Sequence, residues 1–226
     1  MKKIFLTIIA SAIYFLSYSQ SFHKNALVFD AKLGIDIYNT KYYYQLKSSG
    51  QDTTTEDKAA NRNFSFGLEY GVLDRLGIGV RAKFNRYFAE ADKTTGKDPY
   101  HTSLDYMATV NFHAVKNKVL DLALGFNIGG SKLNLVFNDI SETEVYGSGL
   151  YFDLHLTPKI YIKRFAFQFD LGMPFVKYNN LTTNYVNFNN EVLAKWSGLG
   201  YNFGIGVAFR FLKPKESTSS NTKTTN

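Results

Sequence analysis

Three side chains in the later part of the chain have the chemistry of a hydrolytic site: His155 as a base, Thr157 as a hydroxyl and Asp170 as an orienting carboxylate. Such a set works only if the base reaches the hydroxyl, the carboxylate holds the base and an oxyanion donor lies opposite. The residue types are present without a strained elbow or an identifiable oxyanion donor, so a lumenal polar network is the plainer expectation. A second candidate is His113 with Asp121, and a third is His101 with Asp98, Tyr100 and Ser103 in one polar segment. With His23 these complete the four histidines of the chain. They are too scattered to announce a metal site, so catalytic and metal residues are expected to be none.

Other chemistries lack their motifs. Gly125, Gly129, Gly204 and Gly206 recur at strand spacing, as packing positions rather than as a phosphate-binding loop, and no cofactor is expected. There is no cysteine, which removes disulfides, thiolate metal sites and a lipid-anchored amino terminus. The formal net charge of +7 names no partner by itself, and no nucleic-acid partner is expected.

The elements that would position these groups are strands. In the run Leu199 to Phe211, every odd position is apolar or aromatic and every even one is Gly, Asn, Ala or Arg. A bilayer-crossing strand needs about 9–11 residues with one face in lipid, and this run is long enough. The alternation recurs at Ala26–Tyr42, Asn63–Leu73, Gly77–Phe88, Thr102–Val115, Val119–Ser131, Gly147–Ile162, Phe165–Val176 and Ser197–Phe211. Short turns at Asp74–Arg75, Lys116–Lys118 and Lys163–Arg164 alternate with long polar segments at Tyr43–Arg62, Ala89–His101, Lys132–Tyr146 and Lys177–Trp196. Short turns on one side and long loops on the other are the layout of outer-membrane barrels. The predicted fold is all-β, an eight-stranded antiparallel up-and-down transmembrane β-barrel. A soluble lipocalin-like barrel would carry long solvated side chains on its polar face, where this chain has Gly, Ala, Ser, Asn and Asp.

The start reads as an export signal over residues 1–19, with Lys2 and Lys3 before the apolar run Ile4 to Leu16 and small residues at Ser17 and Ser19. The barrel is then expected over 20–212, and residues 213–226, rich in Ser, Thr, Asn and Lys, as a disordered periplasmic tail. The 16 tyrosines and 20 phenylalanines suit interfacial aromatic girdles.

The run Gly206, Val207, Ala208, Phe209, Arg210, Phe211 resembles the carboxy-terminal signal of outer-membrane barrels, a glycine followed by alternating aromatics that the barrel-assembly machinery reads. The chain departs from that pattern in that Phe211 is not terminal. Over nearly all of its length past the signal, the sequence resembles the small OmpA/OmpX-like and PorT-like outer-membrane β-barrel group. The resemblance implies a location in the bacterial outer membrane, and the tail is too short for the peptidoglycan-binding domain that some relatives carry.

The alternation turns Asp30, Lys32, Asp36, Glu69, Arg81, Lys83, Asp105, His113, Asp121, Asp153, His155, Asp170 and Arg210 toward the interior. Buried charges of both signs must pair or hold water. Three-residue turns at 74–76 and 116–118 would place Glu69 opposite Arg81 and His113 opposite Asp121, and Asp170 is expected across from Thr157. An eight-stranded barrel is only wide enough for its own side chains, so a plugged lumen is expected, with a narrow solute path as the alternative.

The short-turn rim gathers Arg75, Lys116, Lys118, Lys163 and Arg164, a basic collar suited to anionic headgroups or acidic periplasmic groups. The opposite loops carry Tyr, Asn and Thr, suited to an envelope protein or glycan partner. The sequence therefore points to a non-catalytic structural or interaction protein of the envelope. A narrow channel for small solutes is the first alternative, and a lipid-modifying enzyme the second.

Overall fold

The computed structural model describes residues 22–90, 95–96, 99–117, 119–137 and 143–211. The segments read as signal (1–19) and tail (213–226) lie outside the described residues. Eight strands follow one another: β1 (Leu27–Leu46), β2 (Asp52–Gly71), β3 (Leu76–Tyr87), β4 (Tyr100–Lys116), β5 (Leu120–Val136), β6 (Glu144–Ile162), β7 (Phe165–Thr183) and β8 (Val192–Arg210). A short helix, α1 (Val186–Glu191), lies between β7 and β8. Each strand pairs antiparallel with the next, and β8 returns to β1 from Val28↔Arg210 to Leu46↔Val192, closing the barrel. The predicted eight-stranded up-and-down barrel is the fold that forms.

Closure removes every free sheet edge, and the two-residue period of a strand sorts the side chains. On β8, Leu199, Tyr201, Phe203, Ile205 and Val207 are about half or more exposed, while Asn202, Ala208 and Arg210 are buried. Leu33, Ile35, Ile37, Phe64, Val80, Phe84, Leu154, Phe167 and Phe169 continue the same apolar belt around the wall. A contiguous apolar surface of this extent is incompatible with water and fits the hydrocarbon core of a bilayer. The polar residues inside are the counterpart of that belt.

The strands outgrow their predicted bounds at one end. β1 and β2 run to Leu46 and from Asp52, so residues 43–62 form a hairpin with a short turn rather than a long polar loop. β7 continues to Thr183, and α1 leads directly into β8 at Val192, so 177–196 is not a loop either. Beyond the bilayer neither face meets lipid, so the hydropathic alternation fades while the backbone ladder persists. β-Bulges interrupt the ladder between His113 and Val115, Ser148 and Gly149, and Tyr178 and Leu181.

At the short-turn end the chain tucks beneath the barrel before β1 begins. Asn25 takes a left-handed φ of 66° and donates its amide to the Gly71 carbonyl at 2.7 Å. A Cβ at Gly71 would come within 2.4 Å of the His23 carbonyl oxygen, so this turn fits only glycine at 71. The result carries Phe22 into the lumen, fully buried with Ala26, Val28, Tyr161, Ala166 and Ala208.

Candidate functional site

The lumen is built in tiers from the short-turn end. Above the Phe22 cluster, His113 places Nδ1 2.7 Å from Asp121 and Nε2 2.9 Å from Glu69, and Lys159 donates to the other Glu69 oxygen at 3.5 Å. Arg210 lies over the Tyr161 ring at 5.5 Å. Higher up, Arg81 grips Asp30 with two bonds of 2.8 and 3.0 Å. Lys32 and Thr157 both donate to Asp170, at 2.5 and 2.6 Å. In the next tier Lys83 pairs with Asp36 at 2.6 Å, and Asn63, Asn202 and Tyr38 donate to the same carboxylate. Asp105 accepts from Ser131 and Asn85.

Two expected pairings need correction. Glu69 does not lie opposite Arg81, because the turn occupies residues 72–75 and sets Glu69 against Gly79 and Arg81 against Gly67. Arg81 therefore reaches across to Asp30 on β1. His113 is not opposite Asp121 either: the turn sets Lys116 against Asp121, three residues off the expected register, and the bulge at Ala114 takes back one of the three, leaving His113 opposite Ala123. Its side chain still meets Asp121, diagonally, and Asn117 caps that turn by accepting the Val119 and Leu120 amides.

The hydrolytic set does not assemble in the order a triad requires. Thr157 donates to Asp170, as the register expectation had it, but the ring of His155 is held elsewhere. Its Nε2 lies 3.1 Å from Asn111 Oδ1, and its Nδ1 lies 3.2 Å from Asn127 Nδ2 and 3.4 Å from Asp153. The ring is thus held by two asparagines and a different carboxylate, while the Thr157 hydroxyl is engaged by Asp170.

The mid-lumen is nearly full. A cavity lined by Lys32, Ser65, Arg81, Lys83, Asp153 and Asp170 holds about 20 Å³, space for a single water. Charges packed this tightly offset one another's desolvation cost, which would be several kcal/mol for an isolated ion.

The upper lumen has a different character, unforeseen from the sequence. Tyr38, Met107, Leu133, Tyr151, Val176, Tyr178, Leu181, Ala194 and Trp196 form a buried apolar cluster over the ion pairs. Trp196 stacks on Tyr178 with centroids 5.3 Å apart, and Tyr87 and Tyr42 approach it at 6.0 and 6.1 Å. Above this floor opens a cup of about 730 Å³ walled by Tyr42, Ala59, Leu135, Phe137, Val145 and Phe188 among others. It lies in the extension that the strands make past the apolar belt. The readable signal was Tyr42 to Tyr44 facing Thr53 to Thr55, residue types that favour strands. Lys159 and Gln168, also inward and buried, follow from parity alone but were not among the expected lumenal residues.

The two rims differ. At the short-turn rim, Arg75 donates to the Ala114 carbonyl and Lys116 to the Asp74 carbonyl, with Lys163 and Arg164 in the neighbouring turn. Lys118 lies outside the described residues. Gly206 faces Lys32, where a Cβ would meet the Ala31 carbonyl oxygen at 2.2 Å. Phe209 packs between Phe165 and Phe211 at centroid distances of 4.8 and 4.9 Å, forming an aromatic patch near this rim.

No family model matches the chain, and no curated protein matches it. Its barrel is similar to the solved structure of outer membrane protein OprG from Pseudomonas aeruginosa. That likeness has 13% identity and a TM-score of 0.54, with 84% of this chain and 98% of that chain covered. The outer membrane protease OmpT from Escherichia coli matches at 10% identity and a TM-score of 0.45, over 86% of this chain and 99% of that chain. Outer membrane protein AlkL, solved in DMPC lipid bilayers, matches at 8% identity and a TM-score of 0.48, over 86% and 94%. The likeness to OprG establishes the fold and leaves the activity open. The chain is an outer-membrane β-barrel, with a lipid-facing apolar belt and a polar lumen.

Proposed function

We propose that this barrel is a non-catalytic binding protein of the envelope, which captures small apolar or aromatic molecules in the cup at its extracellular mouth. The observation that carries this is an aromatic-lined concavity of about 730 Å³ in a part of the barrel that stands in water. Lining of this kind exposes apolar surface at a cost unless something fills it, and the volume is that of an ordinary small-molecule site. The lumen below, with its tier of ion pairs and its 20 Å³ cavity, argues for capture rather than passage. The same packing disfavours the narrow-channel reading, which single-channel recording would revive by showing reproducible conductance steps. The displaced ring of His155 disfavours the lipid-modifying reading, which a change in lipid mass on incubation would revive.

Trp196, the chain's one tryptophan, forms part of the cup floor and reports occupancy directly. A naphthalene-class fluorophore added to the barrel in lipid nanodiscs should take energy from Trp196 saturably. Leu135→Glu places a charge in the wall and should weaken that binding by about tenfold or more. Saturation without any change in Trp196 emission, or unchanged affinity in the variant, overturns the reading.

Two further roles belong to the same proposal. The Arg75, Lys116, Lys163 and Arg164 collar is suited to inner-leaflet headgroups, and Gly206, Phe209 and Phe211 to recognition by the barrel-assembly machinery. Charge reversal of the collar that left lipid co-purification unchanged would remove the first.

A further inference from the structure

The outward face of β2 to β5 carries a feature that the cup does not explain. Arg62 and Arg86 are Cα partners across the β2–β3 ladder, both on the outside and both exposed. Like charges directly opposite one another are destabilising in a sheet, and no described carboxylate forms an ion pair with either. Two strands further round, Lys132 also points outward, opposite Leu104 and Ser148. Arg86 is braced against the Tyr100 ring at 4.9 Å, which fixes its guanidinium along the wall. Three interstrand steps separate Arg62 from Lys132, about 14 Å of barrel surface.

These cations stand at the upper boundary of the apolar belt. Each of the strands concerned turns from apolar to polar at this level: Phe64 lies below Arg62, Phe84 below Arg86, Leu104 below Thr102 and, beneath Gly130, Ile128 below Lys132. Below the cations the wall is concave, a groove of about 650 Å³ floored by Leu33, Phe64, Phe84 and Leu104. The groove is apolar at the height of acyl chains and cationic at the height of headgroups.

We propose that this groove binds a lipid of the outer leaflet with a net negative, phosphate-bearing headgroup. Its acyl chain lies along Phe64, Phe84 and Leu104, and its phosphate oxygens bridge Arg62, Arg86 and Lys132. Guanidinium groups take phosphate oxygens bidentately, and a bridging anion converts the Arg62–Arg86 repulsion into mutual attraction. The site lies on the outside of the barrel and does not depend on what fills the cup.

The test is native mass spectrometry of the full barrel released from nanodiscs containing a bisphosphorylated lipid A, phosphatidylglycerol or zwitterionic phosphatidylcholine. The wild type should retain one or both anionic lipids and lose phosphatidylcholine, and the retained species identifies the source of the phosphate. The Arg62→Gln, Arg86→Gln, Lys132→Gln triple variant should retain about a hundredfold less, on the scale of three cations at a membrane surface. Lys177→Gln with Lys195→Gln, on the opposite wall, should retain as much as the wild type. Equal retention by the triple variant, or equal retention of phosphatidylcholine by the wild type, overturns the proposal. Where the triple variant fails to fold, single Arg62→Gln and Lys132→Gln variants decide it. Each should lose about threefold or more, and unchanged retention in both overturns it.

Discussion

Phe22 stacks on His113 with ring centroids 3.5 Å apart and planes 11° from parallel. The contact closes the periplasmic end of the lumen over the Glu69–His113–Asp121 cluster, using a residue from before the first strand. Phe22→Ala removes a fully buried ring and opens that cluster to water. The expected cost is about 3–5 kcal/mol, read as a lower urea midpoint for the barrel in lipid vesicles. An unchanged midpoint would mean that Phe22 does not seat in the lumen.

The bidentate Arg81–Asp30 pair predicts an asymmetric double-mutant cycle. Asp30→Asn leaves Arg81 buried without its counter-charge and should destabilise the barrel by about 3–5 kcal/mol. Arg81→Met combined with Asp30→Leu should cost much less, because no uncompensated charge remains. Additive losses in the double variant would show that the two groups do not act as a pair.

The parts of the barrel in contact with lipid were the legible ones. Leu199 to Phe211 declares its faces because hydrocarbon outside and ion pairs inside impose opposite chemistry on successive residues. The same parity placed all of the expected lumenal charges, Asp30 through Arg210, among the buried residues. Which of them touch was less legible, since it depends on turns and bulges of one residue. The turn at 72–75 moved Arg81 from Glu69 to Asp30, and the turn before β5, with the one-residue bulge at Ala114 partly offsetting it, moved His113 two positions along Asp121's strand.

The cup was hidden for a different reason. Above the bilayer, Tyr42, Tyr87, Leu135 and Trp196 converge from four strands whose outward faces are already polar, so no single segment shows an alternation to read. Only closure of the ring brings them together. Phe22 was missed because nothing in a short segment before a strand signals that it folds back under the barrel.

His101 gives the cup a pH dependence. It lines the cup above the membrane and stacks edge-on against Phe137 at 4.7 Å. Burial holds its imidazole below its ordinary pKa of 6.5. The folded ring thus stays neutral where an unfolded chain's ring already takes up a proton. The stability it contributes is complete above the unfolded value and is lost as the pH falls from there through the folded value. Protonation also charges an apolar wall, so apolar-probe affinity, followed by Trp196 emission, should fall as the buffer is taken from pH 8 to pH 5. His101→Phe should abolish that fall; a fall of the same size in the variant would assign it to another group.

The most direct test of the whole account exploits the absence of cysteine. Single cysteines at Leu199, Tyr201, Phe203, Ile205 and Val207, spin-labelled in lipid bilayers, report which medium the outward row of β8 touches. Collision with apolar oxygen should exceed collision with a water-soluble nickel chelate at all five positions, most strongly near Phe203. Labels that meet the chelate more readily than oxygen along this row would place the greasy face in water and contradict the barrel as a membrane protein.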